Sequence, residues 1–416
     1  MDTAIKRNVT SPQIKLGALR GPMMIGGLVV GVIGLVAALG AAYAGGSSDA
    51  EAGASWFKSF SASYLVSFCF FASIAIGGLF WVIIMHLTRA GWGICVRRLC
   101  ELLAMMTVPL FVLFLPILIP VLMGSESSVY SWVNPETADH PDLVEHKSPY
   151  LNGGFFAIRM LAYFAIWGLL ARFFLKGSTS QDSSKDPKTT LRMQGVSAPA
   201  MLLFAFTVVF SSFDWEMSLA PSWFSTMFPV YFFAGSVLGC LCVLILSSVL
   251  LQKSGRLTED ITTEHYHDLS KLTFGFVFFW AYIAFSQYLL IWYANIPEET
   301  VWYLARQDQG WQIASIALIV GHVFIPFFAT MPRTLRRNKN YMMFAVLLIL
   351  VMHWFDHFWL VMPQFRPEFG FAAADFLCVI GVGGLFVASF AWIAGERSLI
   401  PEGDPRLYES LSYHNA

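Results

Sequence analysis

Charged residues are scarce in this sequence: Asp, Glu, Lys and Arg make up 13% of its 416 residues. Soluble globular domains carry about 25%. Hydrophobic residues reach 56% of the chain. A chain with so few charges cannot cover a folded surface with polar groups, which excludes an ordinary soluble globule. The sequence therefore predicts a polytopic membrane protein.

Cysteine is also scarce, and none of the six cysteines belongs to a ligand motif. The chain has no CxxC, no CxxCH and no four-cysteine cluster with iron–sulfur spacing. Because such motifs attach c-type haem and iron–sulfur clusters, we expect neither cofactor in this chain. The formal net charge of -1 says nothing about a nucleic-acid partner, but a basic face with interleaved aromatic residues is missing as well. We therefore expect no nucleic-acid partner.

Long apolar runs fill most of the chain. A helix needs about 20 residues to cross about 30 Å of hydrocarbon, and each run below meets that length. Their approximate limits are 22–44, 59–88, 94–123, 150–175, 198–219, 223–251, 272–295, 308–331, 340–362 and 373–395. The predicted fold class is an all-α polytopic membrane protein with about ten transmembrane helices. It forms a single integral membrane domain over 1–416, with an N-terminal segment 1–21, helices within 22–395 and a tail 396–416.

Basic residues indicate the orientation of these helices, because loops kept in the cytoplasm accumulate Lys and Arg. Arg159 lies within a span, and only Lys58, Lys147, Arg306 and Arg366 fall on the side opposite the N-terminus. All other basic residues fall on the N-terminal side. Both termini are therefore predicted to be cytoplasmic.

Two linkers are long enough to matter. The acidic linker 124–149 is predicted to lie outside, and its proline content favours an ordered lid or docking loop. The Ser-, Lys- and Asp-rich linker 177–194 is predicted to lie inside and to be flexible.

The stretch 211–236, SSFDWEMSLAPSWFSTMFPVYFFAGS, places Asp214 and Glu216 between two apolar runs. Asp214 is about 24 Å along its helix from the cytoplasmic boundary, near the outer edge of the hydrocarbon. One interpretation is a proton-exchanging or quinol-facing carboxylate, because acids within a membrane are usually functional. The other is an interfacial carboxylate that caps the hairpin.

The ninth apolar run carries His353, Asp356 and His357 in VMHWFDHFW. Spacings of three and four residues place them on one helix face. Imidazole beside carboxylate is typical of a proton relay. Polar contacts that hold helices together are the alternative. A bis-histidine haem is a third interpretation, and His322 of the eighth run would then supply the opposing ligand.

Other ionisable residues lie deep in apolar runs or at their ends. Arg159 needs an anionic partner, and a salt bridge that holds the helices is favoured over a substrate clamp. Its candidate partners are Asp214, Glu216, Asp356 and Asp375. His322 is alone on its run, and we expect a satisfied core histidine. His86 and Glu101 are expected to be solvated boundary residues, or else the inner mouth of a proton path.

Two stretches, DWEMSLAPSWFSTMFPVYFFAGS and GFVFFWAYIAFSQYLLIWYANIPEET, resemble the second NrfD-like membrane subunit of alternative complex III, the bacterial quinol:cytochrome c oxidoreductase. The resemblance covers most of the chain. It implies two four-helix bundles with the first and last helices outside them. It also implies that Asp214, His353, Asp356 and His357 occupy polar positions of the family, without assigning a role to any of them.

The same resemblance implies a place in the bacterial cytoplasmic membrane, within a respiratory complex and among membrane lipids. The expected partners are a sibling NrfD-like subunit, an iron–sulfur protein and c-type cytochromes, which carry the clusters and haem c. Menaquinol or ubiquinol is the expected substrate of the complex. This chain is then a subunit without a redox cofactor that contributes scaffold and a proton path or quinone pocket. A purely structural docking subunit is the alternative, and a secondary transporter is a third hypothesis.

Overall fold

The structure is a computed structural model that describes residues 12–46, 56–135 and 140–415. In this part of the chain all regular structure is helical, and ten helices are long and apolar enough to cross a membrane. They are α1 (Arg20–Gly46), α2 (Trp56–Leu87), α3 (Ile94–Leu122), α4 (Gly153–Ser184), α5 (Pro187–Trp215), α6 (Phe228–Lys253), α7 (Thr263–Ala294), α8 (Trp311–Thr330), α9 (Lys339–Val361) and α10 (Ala373–Ala394). The predicted ten-span, all-α membrane protein is confirmed.

The helices form two bundles of four. Helices α2–α5 pack into one bundle and α6–α9 into the other, and the bundles meet mainly where α2 packs on α6. Helices α1 and α10 pair with each other and rest on α2, outside both bundles. Burial follows this arrangement. In the most apolar stretch of each helix, 83% of the residues are buried in α2 but only 17% in α1. Helix α2 is therefore the centre of the molecule, and α1 faces the surroundings.

Glycines permit the closest helix contacts. Gly77 and Gly78 are adjacent on α2, where a side chain on Gly77 would collide with the backbone of α6 at Ser236. A side chain on Gly78 would come within 2.9 Å of the backbone of α3 at Ala104. Small residues allow helix backbones to approach closely in membranes. The Gly77–Gly78 pair thus lets α2 contact two helices at the same depth.

Two of the spanning helices are irregular. Helix α3 is divided at Met106 into Ile94–Met105 and Thr107–Leu122. Pro109 stands in the first turn of the second part, where its missing N–H has no intrahelical partner to lose. Helix α8 contains a π-helical segment, Ile319–Phe324. Single π-helical turns inside α-helices are frequently found at functional sites.

The prediction of a flexible linker over 177–194 is wrong. Helix α4 continues to Ser184 and α5 begins at Pro187, so only two residues connect them. The polar residues of this stretch have partners inside the protein: Ser178 accepts a hydrogen bond from Arg98, and Gln181 donates one to Thr190. Hydropathy marks only the part of a helix that lies in hydrocarbon, so the predicted span ended too early.

The two ends of the molecule differ. We call the end that carries the described chain ends and the α2–α3, α4–α5, α6–α7 and α8–α9 connections the terminal face, and the opposite end the loop face. At the terminal face the C-terminal tail crosses the bundles. Its Asp404 accepts a 2.6 Å hydrogen bond from Arg97 of α3, and its Tyr413 donates a 2.5 Å bond to Asp268 of α7.

At the loop face, the described parts of the linker 124–149 cover the α5–α6 hairpin. Tyr130 donates a hydrogen bond to the Trp215 carbonyl, and Lys147 donates one to the Pro221 carbonyl. Burial raises the pKa of Tyr130 well above its ordinary value and lowers that of Lys147. The phenol of Tyr130 therefore stays protonated and can keep donating its hydrogen bond.

Candidate functional site

Asp214 and Glu216 lie in and just after the last turn of α5, and they point to different bundles. Two residues of helix correspond to a rotation of about 200°. Asp214 consequently faces α4 of its own bundle, and Glu216 faces α9 of the other. Both carboxylates are buried. The acidic pair predicted from the sequence is thus divided between two sites.

Asp214 is fully engaged by α4. It accepts hydrogen bonds from Arg159 at 2.9 Å and 2.8 Å, one to each oxygen, and a third at 2.8 Å from Tyr163. Arg159 also donates to the Tyr150 carbonyl at 2.8 Å, and its guanidinium lies 3.8 Å from the centre of the Tyr150 ring. Of the four partners considered for Arg159, the structure selects Asp214. Asp375 instead pairs with Arg366 at 2.7 Å.

Glu216 begins a row of buried side chains that leads into the membrane. Its Oε1 atom lies 2.6 Å from Nδ1 of His357. The ring centres of His357 and His353 are 4.8 Å apart, and those of His353 and His322 are 6.2 Å apart. We call Glu216, His357, His353 and His322 the histidine row. It joins α5, α9 and α8, which the sequence alone could not bring together.

His353 is held tightly against α6. Side chains on Gly235 or Gly239 would come within about 3 Å of its ring, so the imidazole occupies a groove made by these two glycines. Its Nε2 atom lies 2.9 Å from the Ser73 hydroxyl of α2. Its Nδ1 atom has no hydrogen-bond partner among the described residues.

His322, for which the sequence predicts a satisfied core histidine, lies at one end of the histidine row. It lies in the π-helical segment of α8 and is completely buried. Neither of its ring nitrogens bonds to any residue that the structure describes, and Nε2 of His357 is equally without a partner there. Buried polar groups are normally paired with protein or ordered water. Hydrogen bonds to described residues therefore account for only part of the donor and acceptor positions of the row.

Asp356 lies beside the row and contacts a different partner. The hydroxyl of Tyr231 on α6 donates a hydrogen bond to Oδ1 of Asp356, and both side chains are buried. The ring of Trp280 on α7 contacts both Tyr231 and His322. Its centre is 5.1 Å from that of the Tyr231 ring and 4.2 Å from that of the His322 ring.

Tyr231 also forms part of the wall of a cavity of about 440 Å³ between α7, α8 and the connection that joins them. Most of the lining is aromatic or aliphatic. Phe285 and Phe324 belong to this lining and are exposed on the outer surface of the bundle, so the cavity reaches the region that lipid occupies. The polar groups of the wall are Tyr231, Trp280, Gln287, Tyr288, Tyr303, Arg306, Gln307 and Ser315.

Arg306 closes the loop-face end of this cavity and is completely buried. It donates hydrogen bonds to three backbone carbonyls, those of Trp302, Trp359 and Leu360, and no carboxylate of the described chain pairs with it. Its guanidinium lies 3.3 Å from the centre of the Trp302 ring. Burial lowers the pKa of Arg306 to about 9, so it remains a cation at neutral pH.

His86 and Glu101 lie near the terminal face, and the prediction that they are solvated is wrong. Both are buried. Glu101 forms ion pairs with Arg97 at 3.3 Å and Arg98 at 2.9 Å. The ring of His86 stacks on that of Phe174 with centres 5.4 Å apart. Glu101 is thus a member of an ion cluster that also holds the tail, which is a structural contact.

Several residues of the site could not be identified from the sequence. Tyr231 and Tyr163 are aromatic residues in apolar helices, where such residues usually only pack. In the sequence, Arg306 stands only as a charge in a loop. A signal exists for Arg306, since a cation between Trp302 and Tyr303 on one side and Trp311 on the other is enclosed by aromatic residues. No local pattern signals the π segment.

Fold and site together define a ten-span, all-helical integral membrane protein with a buried row of imidazoles next to a cavity that opens toward lipid. In the described part of the chain, no group of three or more His, Cys, Asp or Glu residues is placed to hold a metal ion. No protein-family model matches the sequence, and no curated protein sequence matches it.

Proposed function

We propose that the protein is a membrane subunit of a respiratory complex that oxidises quinol, and that the histidine row carries protons for this complex. The complex lies in the bacterial cytoplasmic membrane, and both termini of this subunit are cytoplasmic. Electrons pass through partner subunits, namely an iron–sulfur protein and c-type cytochromes that work beside a sibling membrane subunit. This chain contributes scaffold and a proton route and holds no redox cofactor of its own.

The observation that carries the proposal is the contact between the cavity and buried titratable groups. The Tyr231 hydroxyl forms part of the cavity wall and bonds to Asp356 behind it. Asp356 is adjacent in sequence to His357, which bonds to Glu216 near the loop face. Imidazole and carboxylate groups exchange protons readily when their pKa values are brought toward neutrality. A proton released in the cavity therefore has acceptors within one hydrogen bond.

The cavity suits the head group of menaquinol or ubiquinol. Its walls are apolar and aromatic, as in most small-molecule sites, with a few polar groups that can fix orientation. Gln287, Tyr303 and Arg306 are such groups, and Oε1 of Gln287 has no partner within the described residues. A quinol hydroxyl that donates toward Tyr231 would lose its proton to Asp356 through that phenol.

The first test removes the proton acceptors within the assembled complex. Asp356→Asn keeps the shape of the side chain but cannot accept a proton, and Tyr231→Phe removes only the hydroxyl. We expect quinol turnover or proton translocation to fall about a hundredfold in either variant, because a positioned proton-transfer group contributes at least that much. The measurement is proton release per electron transferred, together with turnover, in reconstituted vesicles.

The matched control is Tyr64→Phe. Tyr64 is also buried, and its hydroxyl also donates one hydrogen bond, to the Leu113 carbonyl. It lies away from the cavity. Turnover and proton stoichiometry should be normal in this variant. If Asp356→Asn and Tyr231→Phe also assemble and behave normally, the protein is a scaffold that docks its partners, and the proton route is disproved.

A second test fills the cavity. Ala284 lines it on α7, and Ala284→Phe should lower quinol turnover if the head group binds there. Ser286→Phe places the same ring two residues further along α7, where Ser286 does not line the cavity, and should have little effect. Equal turnover in both variants would contradict quinol binding in this cavity. It would not bear on the proton route, which the Asp356→Asn and Tyr231→Phe variants test separately.

A further inference from the structure

Four basic residues form an exposed group at the terminal face, where α4, α5 and the end of α10 meet. They are Arg172 and Lys176 on α4, Arg192 on α5, and Arg397 just after α10. The side chains of Arg172 and Lys176 make no hydrogen bond or ion pair with any residue that the structure describes. Arg192 lies over the Phe173 ring at 5.6 Å, and Arg397 donates only to a carbonyl.

These residues surround two adjoining cavities that share one wall. The smaller, of about 180 Å³, is lined by Arg172, Lys176, Thr179 and Arg397 together with apolar side chains. The larger, of about 400 Å³, is lined by Arg172 and Lys176 from the other side, and by Arg192. Its remaining polar lining is Ser180 and Thr189. Two hollows with cationic and hydroxyl donors and no acidic lining residue are suited to anions.

The carboxylates near this group are occupied elsewhere. Asp182 pairs with Arg98 at 2.9 Å, and Glu396 pairs with Arg20 at 3.2 Å. Asp186 caps α5 by accepting a hydrogen bond from the Lys188 amide at 3.0 Å. None of these acids lines either cavity. Thr189, in the first turn of α5, adds a hydroxyl to the wall of the larger cavity.

The position along the helix matches the phosphate layer of a bilayer. Arg172 is 19 positions beyond the start of α4 at Gly153, which corresponds to about 29 Å and so to nearly the full thickness of the hydrocarbon. Leu169, less than one turn closer to the membrane centre, lines the larger cavity and is 67% exposed. Phe173 adds a second apolar wall. An apolar surface thus leads directly from the hydrocarbon to the cationic hollows.

We propose that this pair of cavities binds the phosphate head group of an anionic phospholipid, with an acyl chain along Leu169 and Phe173. Basic pockets between membrane helices recognise such head groups. Because two hollows share Arg172 and Lys176, a lipid with two phosphates, such as cardiolipin, binds more tightly than one with a single phosphate. This proposal does not depend on the role of the histidine row.

The experiment uses the full chain purified in mild detergent and measures bound lipid by native mass spectrometry. The added probes are cardiolipin, phosphatidylglycerol, phosphatidylcholine and inorganic phosphate. We expect binding in the order cardiolipin, then phosphatidylglycerol, with phosphatidylcholine far weaker. Arg172→Gln and Lys176→Gln should each weaken cardiolipin binding about fivefold, the value of one basic residue near a lipid surface.

Arg333→Gln is the matched control. Arg333 is an exposed arginine of the terminal face on the α8–α9 connection, so its replacement changes the net charge equally without touching the cavities. Unfolding temperatures without added lipid should be the same for all three variants. Equal weakening by Arg333→Gln, or equal binding of phosphatidylcholine, would overturn the proposal. Displacement of cardiolipin by millimolar inorganic phosphate would assign the site to a soluble anion instead.

Discussion

Asp214 and Glu216 show how two similar residues can differ through their contacts. Asp214 uses both oxygens on Arg159 and Tyr163, and its guanidinium partner is itself held by a carbonyl. A carboxylate with so many donors is fixed, which is what a structural ion pair requires. Glu216 interacts with the Cys69 thiol and lies 2.6 Å from Nδ1 of His357, whose Nε2 atom bonds to no described residue.

Removing one partner of the Arg159–Asp214 pair should be costly. We expect Asp214→Asn to lower the free energy of unfolding by about 3–5 kcal/mol, because it leaves a buried guanidinium without its counter-charge. Replacing both residues, as in Arg159→Met with Asp214→Leu, should cost much less. The measurement is denaturant unfolding of the detergent-solubilised protein.

The control for this prediction is Glu396→Gln, which breaks the Arg20–Glu396 pair. That pair is solvent-exposed, with side-chain exposures of 34% and 71%, and exposed pairs contribute about 0–1 kcal/mol. A loss of stability in Asp214→Asn that is no greater than in Glu396→Gln would show that the buried pair does not hold the first bundle together.

At the scale of helices, the contact between the bundles depends on Gly77. We expect Gly77→Leu to destabilise the protein by about 3 kcal/mol, at the upper end of the cost of overpacking, because the new side chain would meet the backbone of α6. Gly275→Leu on α7 is the control, since nothing lies within 4 Å of a side chain added there. The unfolding temperature measures both. Similar values for the two variants would contradict a close α2–α6 contact.

The existence and order of the ten helices could be predicted from the sequence, because crossing hydrocarbon requires long apolar runs. The ends of the helices could not. Helix α7 begins at Thr263, several residues before the predicted 272, because its polar first turns are buried at His265 and Asp268 rather than placed in lipid. Such residues resemble a loop in hydropathy and become helical through contacts with distant segments.

The candidate site was predictable in part. The spacing of His353, Asp356 and His357 placed them on one helix face, and depth placed Arg159 level with Asp214. The depth of a residue in the membrane does not say which helices are neighbours. It therefore could not identify the partner of Arg159 among the four candidate acids. Which helices face each other decides the rest, and that depends on contacts such as Gly239 with His353. The π segment at His322 has no local signal at all.

For the molecule as a whole, the two faces differ in how many basic residues they carry. On the loop face, Lys147 and Arg306 bond to carbonyls and Arg366 to Asp375. On the terminal face, Arg97 and Arg98 are paired with acids, whereas Arg172 and Lys176 are exposed. Loops retained in the cytoplasm accumulate Lys and Arg. The larger number of basic residues at the terminal face is the reason to expect both termini inside, and that orientation remains a prediction.

This orientation can be tested with single cysteines. All six native cysteines are buried, so the unmodified chain provides a low background for a membrane-impermeant maleimide. Ser222→Cys on the loop face should be labelled in right-side-out vesicles, and Ser254→Cys on the terminal face only in inverted vesicles. Both serines are exposed. The reverse pattern would place the termini outside.

The C-terminal tail is held by residues that lie far from it in the sequence. Leu399 bonds to the Ile14 carbonyl, Asp404 to Arg97, and Ser410 to the Trp92 carbonyl. Synthesis proceeds from the N-terminus, so Arg97 and Ile14 are made long before their partners. These contacts of the terminal face therefore cannot form until residues 399–410 have been synthesised, after all ten helices.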